Sequence, residues 1–150
     1  MNSRIRPAQP ADLDAVCAIA LSSPFAARWT RTQYAAEIDS SRSEFAVLGG
    51  APGEGQVQGY LVMLRVPPEA QLVDLAVRPD GRGQGRGRAL LEYAAGKARA
   101  WGCAKMTLEV SAANGPAQRL YGSAGFKVVG RRRNFYNDGS DAILMDLLLT

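Results

Sequence analysis

Two groups of residues in this chain have the types and spacing that chemistry needs. The first lies in Val77 to Leu91, where Gly81, Gly83, Gly85 and Gly87 alternate with Arg82, Gln84, Arg86 and Arg88. A glycine loop that opens a helix presents backbone N–H groups at the positive end of the helix dipole. It therefore suits an anion, most naturally a phosphate, and the arginines add fixed positive charge. Two familiar phosphate loops fail on spacing. GxGxxG needs a glycine where Arg86 or Arg88 stands, and GxxxxGK[ST] meets the same arginines. Composition alone also allows a flexible Arg-Gly linker, although linkers seldom sit tightly between a strand and an amphipathic helix.

The second group is Glu109 and Tyr121, twelve positions apart, with Asn114 between them. The chain has no histidine, which excludes a Ser-His-Asp or Cys-His nucleophile system and a His-ligated metal. A general base must then be a carboxylate, a tyrosine, a cysteine or a relayed water. Glu109 is the first candidate, with an ordinary solvated glutamate as the alternative. Tyr121 could supply a hydroxyl to a reaction, or simply pack with Leu120 and Phe126 with its hydroxyl tied to backbone.

Several elements must position these groups. Pro10 and Asp12 start a helix in which Leu13, Val16, Ile19 and Ala20 recur at helical spacing, with Asp12 and Asp14 in its first turn. Ser22-Ser23-Pro24 ends it. Thr30 and Gln33 form a capping box for a second helix through Ile38. Trp29 either staples that helix start or lines a substrate groove. Strands are expected at Glu44–Leu48, Val57–Arg65 and Leu72–Val77, with a turn-rich break at 49–55, which together read as an antiparallel meander. Alternation in the last of them puts Val73, Leu75 and Val77 on one face and Asp74 on the other.

Beyond the glycine loop, Leu90, Leu91, Ala94, Ala95, Ala98 and Trp101 form one apolar stripe, and Gly102 ends that helix. Lys105–Val110 alternates again, with Met106, Leu108 and Val110 inward and Glu109 opposite. Strand, helix and strand imply a parallel pair, and open sheets of this kind hold ligands at the carboxyl ends of their strands. Asn114 caps a short helix to about Ala124. Phe126–Gly130 and Ala142–Leu149 complete the sheet. No internal repeat or linker divides the chain, so residues 1–150 read as a single domain.

Composition sets wider bounds. At 150 residues, 47% hydrophobic and 21% charged, the chain can bury a full core. A net charge of +4 suits an anionic ligand without requiring nucleic acid. Cys17 and Cys103 match no metal spacing and read as reduced thiols. The apolar run Ala15–Leu21 is too short to span a bilayer, and Asp12 and Asp14 argue against a signal peptide. The expected location is the cytoplasm.

Arg82-Gly83-Gln84-Gly85-Arg86-Gly87 fits the pattern R/Q-x-x-G-x-G/A and resembles the acyl-CoA pyrophosphate loop of the GNAT superfamily of N-acetyltransferases. The run Leu108 to Phe126, LEVSAANGPAQRLYGSAGF, resembles the same superfamily, and within it the ribosomal-protein-alanine N-acetyltransferase branch. That branch carries LEV, an asparagine, LY and GF at this spacing. It also carries an Arg-Arg-Asn-aromatic-Tyr segment beside the last hairpin, here Arg132 to Tyr136, followed by Asp141-Ala142-Ile143. The resemblance covers Leu72 to Leu149 well and the first half loosely. Arg28 departs from it, since relatives often have proline before the tryptophan, and so does Gly115-Pro116.

The resemblance implies an α/β (α+β) fold: a mixed, mostly antiparallel central sheet of about seven strands, helices on both faces, and a parallel pair flanking the cofactor. It implies acetyl-CoA as co-substrate and no metal. Leu75, Ala76 and Val77 would offer backbone groups to pantetheine and the acetyl carbonyl. Arg82, Gly83, Gln84, Gly85, Arg86, Gly87 and Arg88 would cradle the pyrophosphate, and Asn114 would touch the cofactor. Glu109 would accept the amine proton and Tyr121 would protonate the departing thiolate. Trp29 and Tyr136 would hold the acceptor, a protein or peptide N-terminus such as that of a ribosomal protein beginning with alanine. Nucleic acid and membrane are not expected as direct partners, and the chain would act as a monomer or weak dimer.

The chemistry stands on its own terms. An α-amino group with a pKa near 8 is roughly a tenth neutral at pH 7, whereas a lysine near 10.4 is below about a thousandth. A carboxylate can remove the remaining proton, and the leaving thiolate gains from a hydroxyl. Two other readings stay open: the same fold acetylating a small-molecule amine, or a non-catalytic acyl-CoA- or RNA-binding module. Arg131 to Arg133 are either a solvated strand end or a contact for acidic surfaces.

Overall fold

The computed structural model describes residues 4–50 and 56–149. Of the expected turn-rich break at 49–55, positions 51–55 lie outside the described residues. The elements in order are β1 (Ile5–Pro7), a short 3-10 turn (Pro10–Asp12), α1 (Leu13–Leu21), α2 (Arg31–Ile38), β2 (Ser43–Leu48), β3 (Gly59–Val66) and β4 (Glu69–Val77). A second 3-10 turn (Pro79–Gly81) leads to α3 (Arg86–Ala100), β5 (Lys105–Ser111), α4 (Gly115–Ser123), β6 (Lys127–Arg132) and β7 (Ala142–Leu148). One seven-stranded sheet takes them in the order β1-β2-β3-β4-β5-β7-β6. Every neighbouring pair is antiparallel except β4 with β5, as expected of a strand–helix–strand crossover.

Period-two alternation sorts side chains into two cores. Ala46 and Leu48 of β2, Leu61 and Met63 of β3, and Met106, Leu108 and Val110 of β5 pack under α3 and α4. Phe45, Val47, Tyr60 and Val62 face the other way, against Leu13, Val16 and Ile19 of α1 and Tyr34 of α2. Helices thus cover both faces. The expected stripe of α3 is buried from Leu90 to Ala98, while Trp101 sits half-buried at its end under the Arg65 guanidinium. Gly102, with a φ of 79°, turns the chain out of α3. The Gly102 amide donates to Arg99 and the Cys103 amide to Ala98, the paired bonds that close a helix C-terminus.

β4 departs from the sequence reading in two ways. It starts at Glu69, not Leu72, because a two-residue Pro67-Pro68 turn lets Val66 pair directly with Glu69. The register also slips: Val62 pairs with Asp74 but Met63 pairs with Leu72, leaving Val73 as an extra residue. This bulge reverses the alternation. Val73 does not share a face with Leu75 and Val77 as expected. It packs with the α1–α2 core, and Asp74 is buried there as well.

Candidate active site

The parallel ladder between β4 and β5 is short. Glu69, Ala70 and Gln71 pair with Lys105, Met106 and Thr107, and beyond them no ladder pair joins the two strands. Lys105 clamps the paired end through Glu69 (3.5 Å) and Asp146 (3.1 Å). At the other end the bulge and the parting strands leave an opening along Leu75, Ala76 and Val77, whose backbone groups facing β5 belong to no ladder.

The glycine loop lies at the carboxyl end of β4. Gly83 and Gly85 have φ of 79° and 80°, and a Cβ built on either would meet nothing within 4 Å. Gly85 is the N-cap of α3 and has no side chain to bond the first-turn amides, which leaves them for an anion. The residues present thus fit a pyrophosphate. The arginines are turned aside: Arg82 donates to Ser23 Oγ (3.1 Å), Arg86 folds back over Gly81, and Arg88 pairs with Glu92 (3.2 Å) and reaches Ser123 Oγ (3.4 Å). Arg86, Gly87 and Arg88 belong to the helix and not to the loop.

Asn114 caps α4 as expected, accepting from the Ala117 amide (3.2 Å). Its Oδ1 thus already holds one donor, while Nδ2 remains to donate to a ligand. Pro116 stands in the first turn of α4, where a missing N–H costs nothing. Gln118 fixes this corner by donating from Nε2 to the carbonyls of Ser111, Ala112 and Asn114 at 3.1–3.3 Å.

Glu109 points away from Leu108 and Val110, on the α1–α2 face, and pairs with Arg132 Nε at 3.2 Å. Arg132 also lies over the Phe135 ring. The half-buried Tyr136 is near: burial raises its phenol pKa, and the Glu109 carboxylate raises it further. Tyr121 is buried against Phe126 with ring centroids 5.8 Å apart. Burial first, then the nearby Asp74 carboxylate and Tyr136 phenol, push its pKa up to about 12. Its hydroxyl takes no hydrogen-bond partner among the described residues, so it is not the backbone-tied packing residue that the alternative reading required.

Sequence reasoning missed Asp74. It is 5% exposed, and its carboxylate accepts from Tyr34 Oη (2.6 Å), Tyr60 Oη (2.9 Å) and the Ala27 amide (3.1 Å). A lone acid in the apolar run Leu72–Val77 was the available signal. Trp29 is half-buried and stacks on Tyr34 at 5.2 Å. With the Thr30–Gln33 capping box, this is the staple between the residue before the cap and the fourth residue of the helix. Glu109, Tyr136, Tyr121 and Asp74 thus form a run of electrostatic neighbours, Glu109 to Tyr136, Tyr136 to Tyr121 and Asp74 to Tyr121. Trp29 reaches it only through Tyr34.

Known proteins resemble this chain in sequence and in fold. The chain is 32% identical over 136 residues to a Bacillus subtilis (strain 168) protein provisionally named a [ribosomal protein bS18]-alanine N-acetyltransferase, covering 89% of this chain and 87% of that one. It is 43% identical over 96 residues to the [ribosomal protein bS18]-alanine N-acetyltransferase of Escherichia coli (strain K12), covering 62% and 65%. The crystal structure of the ribosomal-protein-S18-alanine N-acetyltransferase from Escherichia coli superposes with a TM-score of 0.84 at 33% identity, over 99% of this chain and 95% of that one. The Acetyltransferase (GNAT) family profile matches residues 13–126, and the chain belongs to that family.

Proposed function

We propose that this chain transfers the acetyl group of acetyl-CoA to the α-amino group of a protein N-terminus, with a ribosomal protein beginning in alanine as the acceptor. The observation that carries this reading is the opening between β4 and β5. Glu109 lies on β5 and Tyr121 on α4, with Tyr136 as a charge-sensing neighbour of both, which supports their working on one reacting centre. Acetyl-CoA supplies a thioester, whose carbonyl carbon gains the amine nitrogen as its bond to sulfur breaks. The amides of Gly83 to Arg88 hold the pyrophosphate, and the backbone of Leu75 to Val77 orients the acyl arm. Glu109 takes the proton that the amine nitrogen gives up, directly or through one water, and Tyr121 Oη returns a proton to the sulfur. Exchange with solvent restores both groups.

Tyr136 and Trp29 flank the acceptor's path, Tyr136 directly and Trp29 by bracing Tyr34. The sheet running from Ile5 to Leu148 supports one catalytic domain over residues 1–150, acting as a monomer or weak dimer. The expected setting is the cytoplasm, where acetyl-CoA and nascent ribosomal proteins meet. Among the described residues no helix is long and apolar enough to cross a membrane.

The test is incubation with acetyl-CoA and short peptides that differ in their first residue, with mass spectrometry to place any added acetyl group. Acetylation confined to the α-amino group, fastest on alanine, supports the reading. Transfer only to lysine side chains or to small amines overturns it.

A further inference from the structure

A carboxylate buried in a protein costs free energy unless it is fully hydrogen-bonded. Asp74 meets that condition with three donors from three different elements: Tyr34 on α2, Tyr60 on β3 and the Ala27 amide in the α1–α2 connection. The two phenols are also within hydrogen-bond distance of each other, at 3.0 Å. Packing alone did not require a charge here, since an apolar residue on β4 would have filled the same side of the sheet. Asp74 is the first residue after the bulge, at the point where β4 has left β5. Because the strands part there, a charge on the α1–α2 face acts on Tyr121, whose ring belongs to the α3–α4 core.

We propose that Asp74 is a positioning residue for acetyl transfer: its tethered carboxylate, set where β4 has left β5, holds Tyr121 ready as the proton donor and draws in the acceptor's ammonium group. The proposal rests on the reading of the site given above. The groups around this charge are Tyr34, Tyr60 and Tyr121, with Tyr136 beside Tyr121 and Glu109 beside Tyr136. A negative charge next to a phenol opposes its ionisation. The same charge favours an approaching cation, and more strongly at a buried site than in water. The Ala27 tether also ties this carboxylate to the α1–α2 connection that carries Arg28 and Trp29.

The experiment compares Asp74→Asn, Tyr60→Phe and Tyr34→Phe in the full chain. It measures kcat and KM for an alanine peptide from neutral pH to about pH 10.5, together with melting temperature and acetyl-CoA affinity; the upper limit lies just above the ordinary tyrosine pKa. Asp74→Asn keeps the shape and removes the charge. Its kcat should fall at least about tenfold, its peptide KM should rise, and its rate should decline at a lower pH than the wild type, because its Tyr121 loses the proton sooner. Acetyl-CoA affinity should stay unchanged. Tyr60→Phe and Tyr34→Phe keep the charge but loosen its tether, so they should lower the melting temperature and reduce kcat a few-fold without moving the alkaline decline. Should Asp74→Asn fail to fold, Tyr34→Phe decides alone: a kcat reduced a few-fold at unchanged acetyl-CoA affinity supports the positioning role, and an unchanged kcat with only a lower melting temperature overturns it. An Asp74→Asn enzyme with the wild-type pH profile also overturns it. Glu109→Gln and Tyr121→Phe run alongside: if they too keep wild-type rates, the proposed reaction fails, whereas if only Asp74→Asn does, this inference alone fails.

Discussion

Glu109 and Tyr121 differ in what surrounds them, and their roles follow from that difference. Glu109 is a solvent-reaching acid held by one exposed arginine, available to water and to an incoming amine. Tyr121 is shielded, and its pKa of about 12 keeps its proton through the physiological range. Removing either should lower kcat by about 10²- to 10⁴-fold, the usual worth of a positioned acid or base. Steady-state rates of Glu109→Gln and Tyr121→Phe check this, with acetyl-CoA affinity expected to be preserved in both. The Arg132–Glu109 pair is a surface ion pair, and such pairs contribute about 0–1 kcal/mol. Arg132→Ala should therefore shift thermal unfolding only slightly, while lowering the peptide KM as Glu109 is released to the amine. The face on which Glu109 stands was legible from strand alternation, whereas the roles of Glu109 and Tyr121 came from the resemblance of Leu108 to Phe126 to the acetyltransferases. Asp74 stands opposite Leu75 and Val77 as alternation puts it, but the phenols that bury and bond it come from α2 and β3, and periodicity within its own strand cannot show them. Arg132 was visible as part of a basic cluster, but its partner lies on another strand.

At the scale of elements, local chemistry foretold most boundaries. The α2 start carries both the reciprocal cap and the aromatic staple, so Thr30→Ala should destabilise the protein by about 1 kcal/mol, read as a lower denaturant midpoint at constant slope. Gly85 presents the opposite case. Its left-handed backbone strains any other L-residue by about 1–2 kcal/mol, yet a methyl there meets no protein atom. Gly85→Ala should thus keep the fold while weakening acetyl-CoA binding by more than the stability it loses, a contrast that calorimetric titration and thermal melts together detect. The β3–β4 hairpin was only half legible. Its two strands read clearly, but how early β4 begins depends on how tight the proline turn is. The bulge shows only in the pairing of β4 with β3, where Val73 is left without a partner.

Across the whole molecule, tyrosines dominate the response to alkali. Burial raises the pKa of Tyr34, Tyr60, Tyr93 and Tyr121, reinforced by Asp74 at three of them and by Glu44 at Tyr93. The folded state therefore holds these protons more tightly than the unfolded chain, whose phenols ionise near pH 10. Stability should be level below that value and fall as pH rises through it, with Tyr121 adding its share between about 10 and 12. Chemical denaturation at stepped pH would show this. A flat profile above pH 10 would mean that the phenols are less shielded than the structure has them.

The short ladder between β4 and β5 has a mechanical meaning as well. Only three residue pairs stitch β1–β4 to β5–β7, so the sheet has a seam, and the amide hydrogens along it lack the protection of a continuous ladder. A ligand lying in the seam would act as the missing thread. Amide exchange should slow along Leu75–Val77 and Leu108–Val110 when acetyl-CoA is added, and denaturation should then become more cooperative across the two half-sheets.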